Sequence, residues 1–402
     1  MYDVMDGVRV VEVAEHTFVP SAAMVLADWG ADVVKVERRG GDASRHMRVI
    51  QRPGLRSNPY FEAANRGKRS LGLDLTTAAG REVLECLLDG ADVFVTNLRA
   101  DARTKLGIGA EELMARHPRL VYASGSGYGR QGPLARSAGF DYPSSWCRSG
   151  SAYVQTPADG GPPPLQPGSV GDLTGGATLA GAIAAALFRR ERTGRGAVVD
   201  HALYQMGTYI MSQSLTSASL GWLPTGAAPS RAEAVDPLNN PYRTQDGRWL
   251  VLCLLYDAWW PDFASAVGHP EWLDDARFAT PGARAEHNVA LITALDAIFA
   301  SRTLAEWEDA FLELEGVWSP VKSPAEVLED EQALVNGFVA PVAFRDGDGE
   351  YYTGPSPAQF DERPIGALQA APAYGEDTDA VLGEAGLAAE QIKDLRTAGV
   401  IN

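Results

Sequence analysis

The feature that most constrains this chain is the alternation, over its first third, of short β-branched runs with helical patterns. GVRVVEVA predicts a buried strand, SAAMVLADWG a helix ended by Gly30, and DVVKVE a second strand. AGREVLECLLDG then predicts a helix and ADVFVTN a strand, followed by the helix EELMARHP and the strand RLVYASGSG. Strand and helix alternating in this way imply βαβ units and a parallel sheet, so the fold class is α/β. Such sheets bind ligands beyond the carboxyl ends of their strands. Those ends are Glu37-Arg38-Arg39, Thr96-Asn97-Leu98 and Ser124-Gly125-Ser126-Gly127.

Further along, the Gly/Pro-rich connection TPADGGPPPLQPG leads into GSVGDLTGGATLAGAIAAALF, a helix beginning near Asp172. RRERTGRGAVVDHALYQMGTYIMSQSL reads as strand and helix, and the stretch from Leu220 to Pro237 as a linker. YRTQDGRWLVLCLL predicts a hairpin closed around Asp246-Gly247, opening a smaller α/β domain with Trp- and Leu-rich helices. From Glu326 onward long loops and a final amphipathic helix, AAEQIKDLRTAG, are expected. The expected organisation is a large domain over 1–218, a linker and small domain over 219–325, and a C-terminal segment over 326–402. A chain of 402 residues, 45% of them hydrophobic, can bury cores for both domains.

A formal net charge of −17 argues against non-specific binding to nucleic acid or to membranes. Most of the 35 Lys and Arg residues nevertheless fall within the first 200 positions, many between Lys35 and Lys105. Such a zone reads either as solvated surface charge or as the seat of a small polyanion. Cys86, Cys147 and Cys253 are far apart and form no CxxC pair, which fits reduced thiols and a cytoplasmic location. The N-terminus lacks the layout of a signal peptide. The most apolar run, Ala177 to Phe188, reads as too short to span a bilayer and as broken by Gly181.

Gly127-Tyr128-Gly129-Arg130-Gln131-Gly132 matches GxGxxG after a strand, but Pro133 follows where a dinucleotide fingerprint needs a helix start. It reads as a tight glycine turn, without nicotinamide or flavin. The six histidines, His16 and His46 among them, show no HExxH or paired metal spacing, and no GxSxG elbow exists. No metal is expected. Asp172 has two readings: a helix cap, or a carboxylate nucleophile flanked by Gly175 and Gly176, where helix-start N–H groups serve an oxyanion.

Taken together, several segments resemble the CaiB/BaiF family, the class III CoA-transferases. They are GVRVVEVAEHTFVPSAAMVLADWGADVVKVERRGGDASR, NRGKRSLGLDL, ADVFVTNLRADARTKLGI, YASGSGYGRQGPLARSAGFDY, RRERTGRGAVVDHALYQ and AYGEDTDAVLGEAGLAAEQIKDLRTAGVI. The resemblance spans nearly the whole chain. It implies a Rossmann-like large domain built from both chain ends, a small domain from the middle, and an interlocked homodimer. It further implies that coenzyme A, carried as acyl-CoA, lies over the large domain. Arg38 would meet the ADP phosphates, and Leu71, Leu73, Asn97 and Leu98 would frame the adenine. Arg103 or Lys105, with Leu106, would hold the nucleotide end. The basic zone then has a ligand. Asp172 aligns with the family's nucleophile, which exchanges CoA between an acyl-CoA and a carboxylic acid through aspartyl anhydride and aspartyl-CoA intermediates. Gly175 and Gly176 would contact the oxyanion.

The same superfamily contains α-methylacyl-CoA racemases, which resemble this chain at Asp172 and add a histidine before an aspartate. Here that stretch is Gly139-Phe140-Asp141, and phenylalanine moves no proton, so only His16 or His46 is left to replace it. The resemblance therefore favours transfer, with racemisation or non-catalytic CoA binding as alternatives. The region matching the family's glycine-rich lid, LPTGAAPSRAE, is not a glycine run, and Asp377 stands where the family often has histidine. Trp146, Tyr153 and the Trp259-Trp260 pair read either as an acyl pocket or as core packing.

Overall fold

A computed structural model describes residues 1–47, 55–157, 160–222 and 230–402. Most of the lid-like stretch LPTGAAPSRAE therefore lies outside the described residues. The chain forms two compact units. One comprises Met1–Tyr153, Pro164–Leu223 and Leu328–Asn402, and the other Val154–Pro163 and Pro224–Val327. The short run Val154–Pro163 thus groups with the second unit, ahead of the boundary expected near position 219.

The first unit is built on β1 (Arg9–Val13), β2 (Asp32–Glu37), β3 (Arg69–Gly72), β4 (Val93–Thr96), β5 (Val121–Ser126) and β6 (Ala197–Ala202). These pair throughout in parallel, in the order β3-β2-β1-β4-β5-β6. That is the order of a Rossmann sheet, whose direction of winding reverses between β1 and β4 and leaves a crevice at their carboxyl ends. Its helices are α1 (Phe18–Asp28), α2 (Pro59–Asn65), α3 (Ala78–Leu88), α4 (Ala100–Leu106), α5 (Ala110–Arg116), α6 (Ser151–Val154), α7 (Val170–Thr193) and α8 (Leu203–Ile210).

Alternate strand residues serve two cores. Val10, Val33, Val93, Val95, Val121 and Ala123 pack with α1 and α7. Val11, Val13, Val34, Val36, Leu71, Phe94 and Tyr122 pack with α3, α5 and the C-terminal residues Val381, Leu382, Ile392, Val400 and Ile401. Burial on both faces is why these strands read as continuous apolar runs rather than as alternations.

The α1 face of this sheet also encloses charge. Glu12, on β1, pairs with Lys35 Nζ at 2.7 Å and Lys68 Nζ at 2.6 Å, and Lys35 reaches Asp42 at 2.8 Å. All four side chains are essentially inaccessible. Lys35 also donates to Ala14 O and Lys68 to Pro20 O, so the cluster fixes the turn between β1 and α1 from beneath. Burial draws the Lys68 ammonium down to about 7 against the pull of Glu12. Around Lys35, Glu12, Asp42 and Glu37 outweigh the same burial and hold its pKa above the usual value. Arg45 pairs with Glu37, Arg66 with Asp28, and Arg69 with Asp32 and Glu384. Much of the basic zone is thus neither solvated surface nor a ligand seat. It is internal wiring, because each of these cations already has a carboxylate.

Helix α7 starts at Val170 and runs unbroken through Gly181 to a left-handed cap at Gly194. By length and composition it suffices to cross a membrane, although 44% of its apolar window is buried inside the protein. The expectation of a short, interrupted run is corrected: an isolated glycine in a helix held on one face does not break it.

In the second unit β7 (Pro241–Arg243) and β8 (Trp249–Leu252) form the expected hairpin about Asp246-Gly247, extended by β9 (Trp318–Pro320). Its core stacks Trp260 on Trp272 at 5.9 Å. The C-terminal tail is more ordered than its composition suggests. It forms a three-stranded sheet of β10 (Ala340–Ala343), β11 (Glu350–Thr353) and β12 (Leu368–Gln369), then helices at Thr378–Glu384 and Ala389–Thr397. Asp377 there accepts from Ser70 N at 2.8 Å and from Arg345, tying the tail to β3.

Candidate active site

The crevice is closed at its base by one side chain. Asn97, just past β4, accepts from Glu15 N at 3.0 Å and donates to Glu15 O at 2.6 Å. This amide clamp joins the ends of β1 and β4 across the reversal point. Beside it lies a cavity of about 80 Å3 whose walls include His16, Thr17, Phe18, Asn97, Ser126, Phe140 and Asp172. Gly125, Gly127 and Gly139 complete the wall. Gly127 and Gly139 are needed because a Cβ on Gly127 would sit 2.7 Å from Gly139 Cα. The GxGxxG stretch is accordingly a glycine turn lining a cavity.

Asp172 is the third residue of α7, not its cap; the N-cap is Ser169, whose side chain makes no capping bond. The capping work falls to another carboxylate. Asp141, 8% exposed, accepts from Asp172 N at 3.0 Å and from Gln166 Nε2 at 2.6 Å. A Cβ on Gly171 would overlap Asp141 Oδ1, so the glycine ahead of Asp172 admits this cap. Asp141 leads directly into a π-helical turn, Tyr142–Cys147, of the kind found where backbone is shaped for a site. The sequence signals this arrangement only through Gly171.

With its backbone served by Asp141, the Asp172 side chain is left free. Among the described residues no hydrogen bond or ion pair reaches its carboxylate, and it is half-buried. Burial first, and the Asp141 carboxylate after it, push the Asp172 carboxyl up to about 7. The group is therefore not fully ionised at neutral pH, contrary to the simple expectation for a carboxylate. A desolvated, unpaired carboxylate is a strong nucleophile once it has lost its proton.

Gly175 and Gly176 do not face the cavity. A Cβ on Gly175 would meet Phe18 Cε2 at 2.8 Å, and one on Gly176 would overlap Ser21 Oγ and meet Ala22 N at 3.0 Å. They let α7 lie close against α1, and in the second helical turn their N–H groups belong to the helix ladder. Neither is on the wall of the cavity beside Asp172, where the expected oxyanion role would place them.

A second, more apolar groove of about 180 Å3 opens beyond β2 and β3, lined by Arg38, Leu73, Leu98 and Leu106 together with Val36, Asp74, Leu75 and Thr76. Arg38 is two-thirds exposed at its side chain and pairs with Glu15 at 2.6 Å. The remaining expected contacts sit elsewhere. Leu71 is wholly enclosed in the core of a strand buried on both sides and is not on the groove wall, which Leu73 two residues on does reach. Asn97 is committed to Glu15 in the neighbouring cavity. Arg103 donates to Tyr122 Oη at 3.3 Å, and Lys105 is exposed on α4, outside the groove lining. Trp146 donates to Pro164 O at 3.0 Å and Trp260 is core, while His46 bonds Gly40 O away from the cavity. Among the described residues no group of three or more His, Cys, Asp or Glu side chains is assembled for a metal.

Fold and site together define a Rossmann-type enzyme that presents a carboxylate at the carboxyl end of its sheet. The chain belongs to CoA-transferase family III, whose model matches residues 5–378, and it is an acyl-CoA:carboxylate CoA-transferase. It is 31% identical, over 99% of both chains, to the (R)-2-hydroxy-4-methylpentanoate CoA-transferase of Clostridioides difficile. It is 28% identical, over 98% of this chain and 96% of the relative, to the cinnamoyl-CoA:phenyllactate CoA-transferase of Clostridium sporogenes. A crystal structure of a CaiB/BaiF family protein from Brucella suis superposes with a TM-score of 0.82 at 28% identity, over 95% of this chain and 99% of that one.

Proposed function

We propose that this CoA-transferase works by covalent catalysis on Asp172. The observation that carries the proposal is the free carboxylate held in a small cavity at the reversal point of the sheet. An Asp172 oxygen bonds to the thioester carbon, the C–S bond breaks, and a mixed anhydride and CoA thiolate result. The thiolate adds to the aspartyl carbonyl and releases the donor acid, leaving an aspartyl-CoA thioester. The acceptor carboxylate then expels the thiolate to form a second anhydride. Thiolate attack on the acceptor's acyl carbon yields the new acyl-CoA and frees Asp172. Each step exchanges one activated acyl group for another, so the thioester energy is conserved.

CoA lies along the groove of Arg38, Leu73, Leu98 and Leu106, with Arg38 at the phosphates. Lys105 and Arg103 serve the nucleotide end only by swinging toward it. The acyl group of the donor and the acceptor acid both carry apolar tails, which suit the Phe18, Phe140 and Leu203 walls of the cavity. The acids named for the two relatives head the panel to be tested. Membership of CoA-transferase family III and the transferases it matches favour transfer over racemisation, although His16 shares the cavity with Asp172. The enzyme is a cytoplasmic homodimer. Tyr209, Ile210, Leu215, Leu220 and Trp222 are 45–79% exposed in the single chain, an apolar face for a second copy.

The test is mass spectrometry of the protein after incubation with acyl-CoA donors. A CoA adduct on the peptide bearing Asp172, lost in Asp172→Ala, is expected. Neither adduct nor exchange, in folded protein that binds CoA, overturns the mechanism.

A further inference from the structure

The displacement of Gly175 and Gly176 from the cavity leaves the developing oxyanion without its expected donors. A carbonyl oxygen that gains charge as Asp172 attacks needs a fixed N–H or O–H aimed at it. Of the side chains on the cavity wall, Asn97 is spent on Glu15, both amide atoms being engaged. The Ser126 hydroxyl oxygen is engaged by the backbone, accepting from Gly129 N at 3.0 Å, and the Thr17 hydroxyl is a free rotor. One ring on this wall is held in place with no such bond.

His16 has a φ of +66°, in the left-handed region that a non-glycine residue adopts only when its surroundings impose it. Its surroundings do. Its N–H donates to Asp42 Oδ1 at 3.1 Å, and Asp42 is itself held by Lys35 at 2.8 Å. On one side Glu15 is clamped by Asn97, and on the other Pro20 O is held by Lys68. The buried charge cluster and the amide clamp therefore converge on the backbone of this one residue. Its ring stands edge-on to Phe140, centroids 5.3 Å apart at 90°, which sets its plane. Among the described residues neither ring nitrogen has a hydrogen-bond partner. An oriented imidazole with both nitrogens unpaired by protein, on the wall of a cavity of about 80 Å3 shared with Asp172, is available to a bound substrate.

We propose that His16 is a further catalytic residue, whose ring N–H donates to the thioester carbonyl oxygen as Asp172 attacks. When the new C–O bond forms, the carbonyl π pair moves onto that oxygen. The imidazole N–H bonds the resulting oxyanion without transferring its proton, and the pair returns as the thiolate leaves. The proposal rests on Asp172 being the nucleophile.

Its test compares His16→Asn, which tolerates the left-handed backbone but carries its donor closer to the chain, with His16→Gln, which reaches further. Each is assayed with the acyl-CoA that the wild type turns over fastest. His16→Asn should lose about 100-fold or more in kcat and in the single-turnover rate of adduct formation, with KM changed less than about threefold. His16→Gln should recover at least about tenfold of that loss, and thermal melting should show both variants folded. Turnover by folded His16→Asn within about threefold of wild type would overturn the role of the ring while leaving Asp172 standing. Absence of any adduct in the wild type would overturn both.

Discussion

Asp172 couples reactivity to proton uptake. With its carboxyl held at about 7 by burial and by Asp141, the attacking form is fully populated only above neutral pH. The kcat/KM for the acyl-CoA should therefore rise with an inflection near 7. In Asp141→Asn, which keeps a cap oxygen but removes the charge, that inflection should move down by about half a unit to one unit. The same shift has a cost in stability. A carboxyl whose pKa is raised on folding binds more protons in the native state between about 4 and 7, so stability falls across that window as pH rises. Asp172→Asn should accordingly be more stable than wild type at pH 8, by up to roughly 3–4 kcal/mol, with the difference gone below about pH 4. Urea unfolding at the two pH values checks this. Asp172 itself is legible in the sequence, standing beside its glycines ahead of an apolar helix. Asp141 and His16 are not, because their roles depend on a cap supplied from 31 positions away and on a backbone angle.

At the level of elements, the site is a consequence of how closely α7 approaches α1. Gly176 makes that approach possible, and Ser21 Oγ bridges to Phe18 O at 2.8 Å and Asp172 O at 3.2 Å across the contact. Gly176→Ala must push the helices apart against backbone as well as a hydroxyl. It should cost about 2–3 kcal/mol in chemical denaturation and lower kcat without any change at Asp172. The glycines are conspicuous in the sequence, but nothing there distinguishes a glycine that admits a ligand from one that admits a helix. Strands β1, β2 and β4 are legible from their buried β-branched residues, and β5 from its apolar start, VYA. β3 is not. Its RSLG is four residues long, and its Arg69 looks like surface charge until Asp32 and Glu384 are placed beside it.

On the scale of the molecule, the large unit is closed by its last residues. Leu73 pairs with Ile401, Asp74 N donates to Val400 O at 2.8 Å, and Ile392, Val400 and Ile401 complete one core. Leu73 and Asp74 are also walls of the proposed CoA groove. Removal of residues 389–402 should thus cost roughly 5 kcal/mol or more, and with it CoA binding. Size-exclusion chromatography and calorimetric titration with CoA read out the two effects. The middle of the chain, by contrast, has its own core around Trp260, Phe299 and Trp307.

That closure orders events during synthesis. The ribosome releases the central unit complete while the large unit still lacks the strip that seals its sheet. The first strands must wait, apolar on both faces, until residues 389–402 have been made. A chain truncated ahead of residue 389 therefore yields no weakened enzyme but a chaperone client with an open sheet, and quality control, rather than metabolism, meets the truncated product.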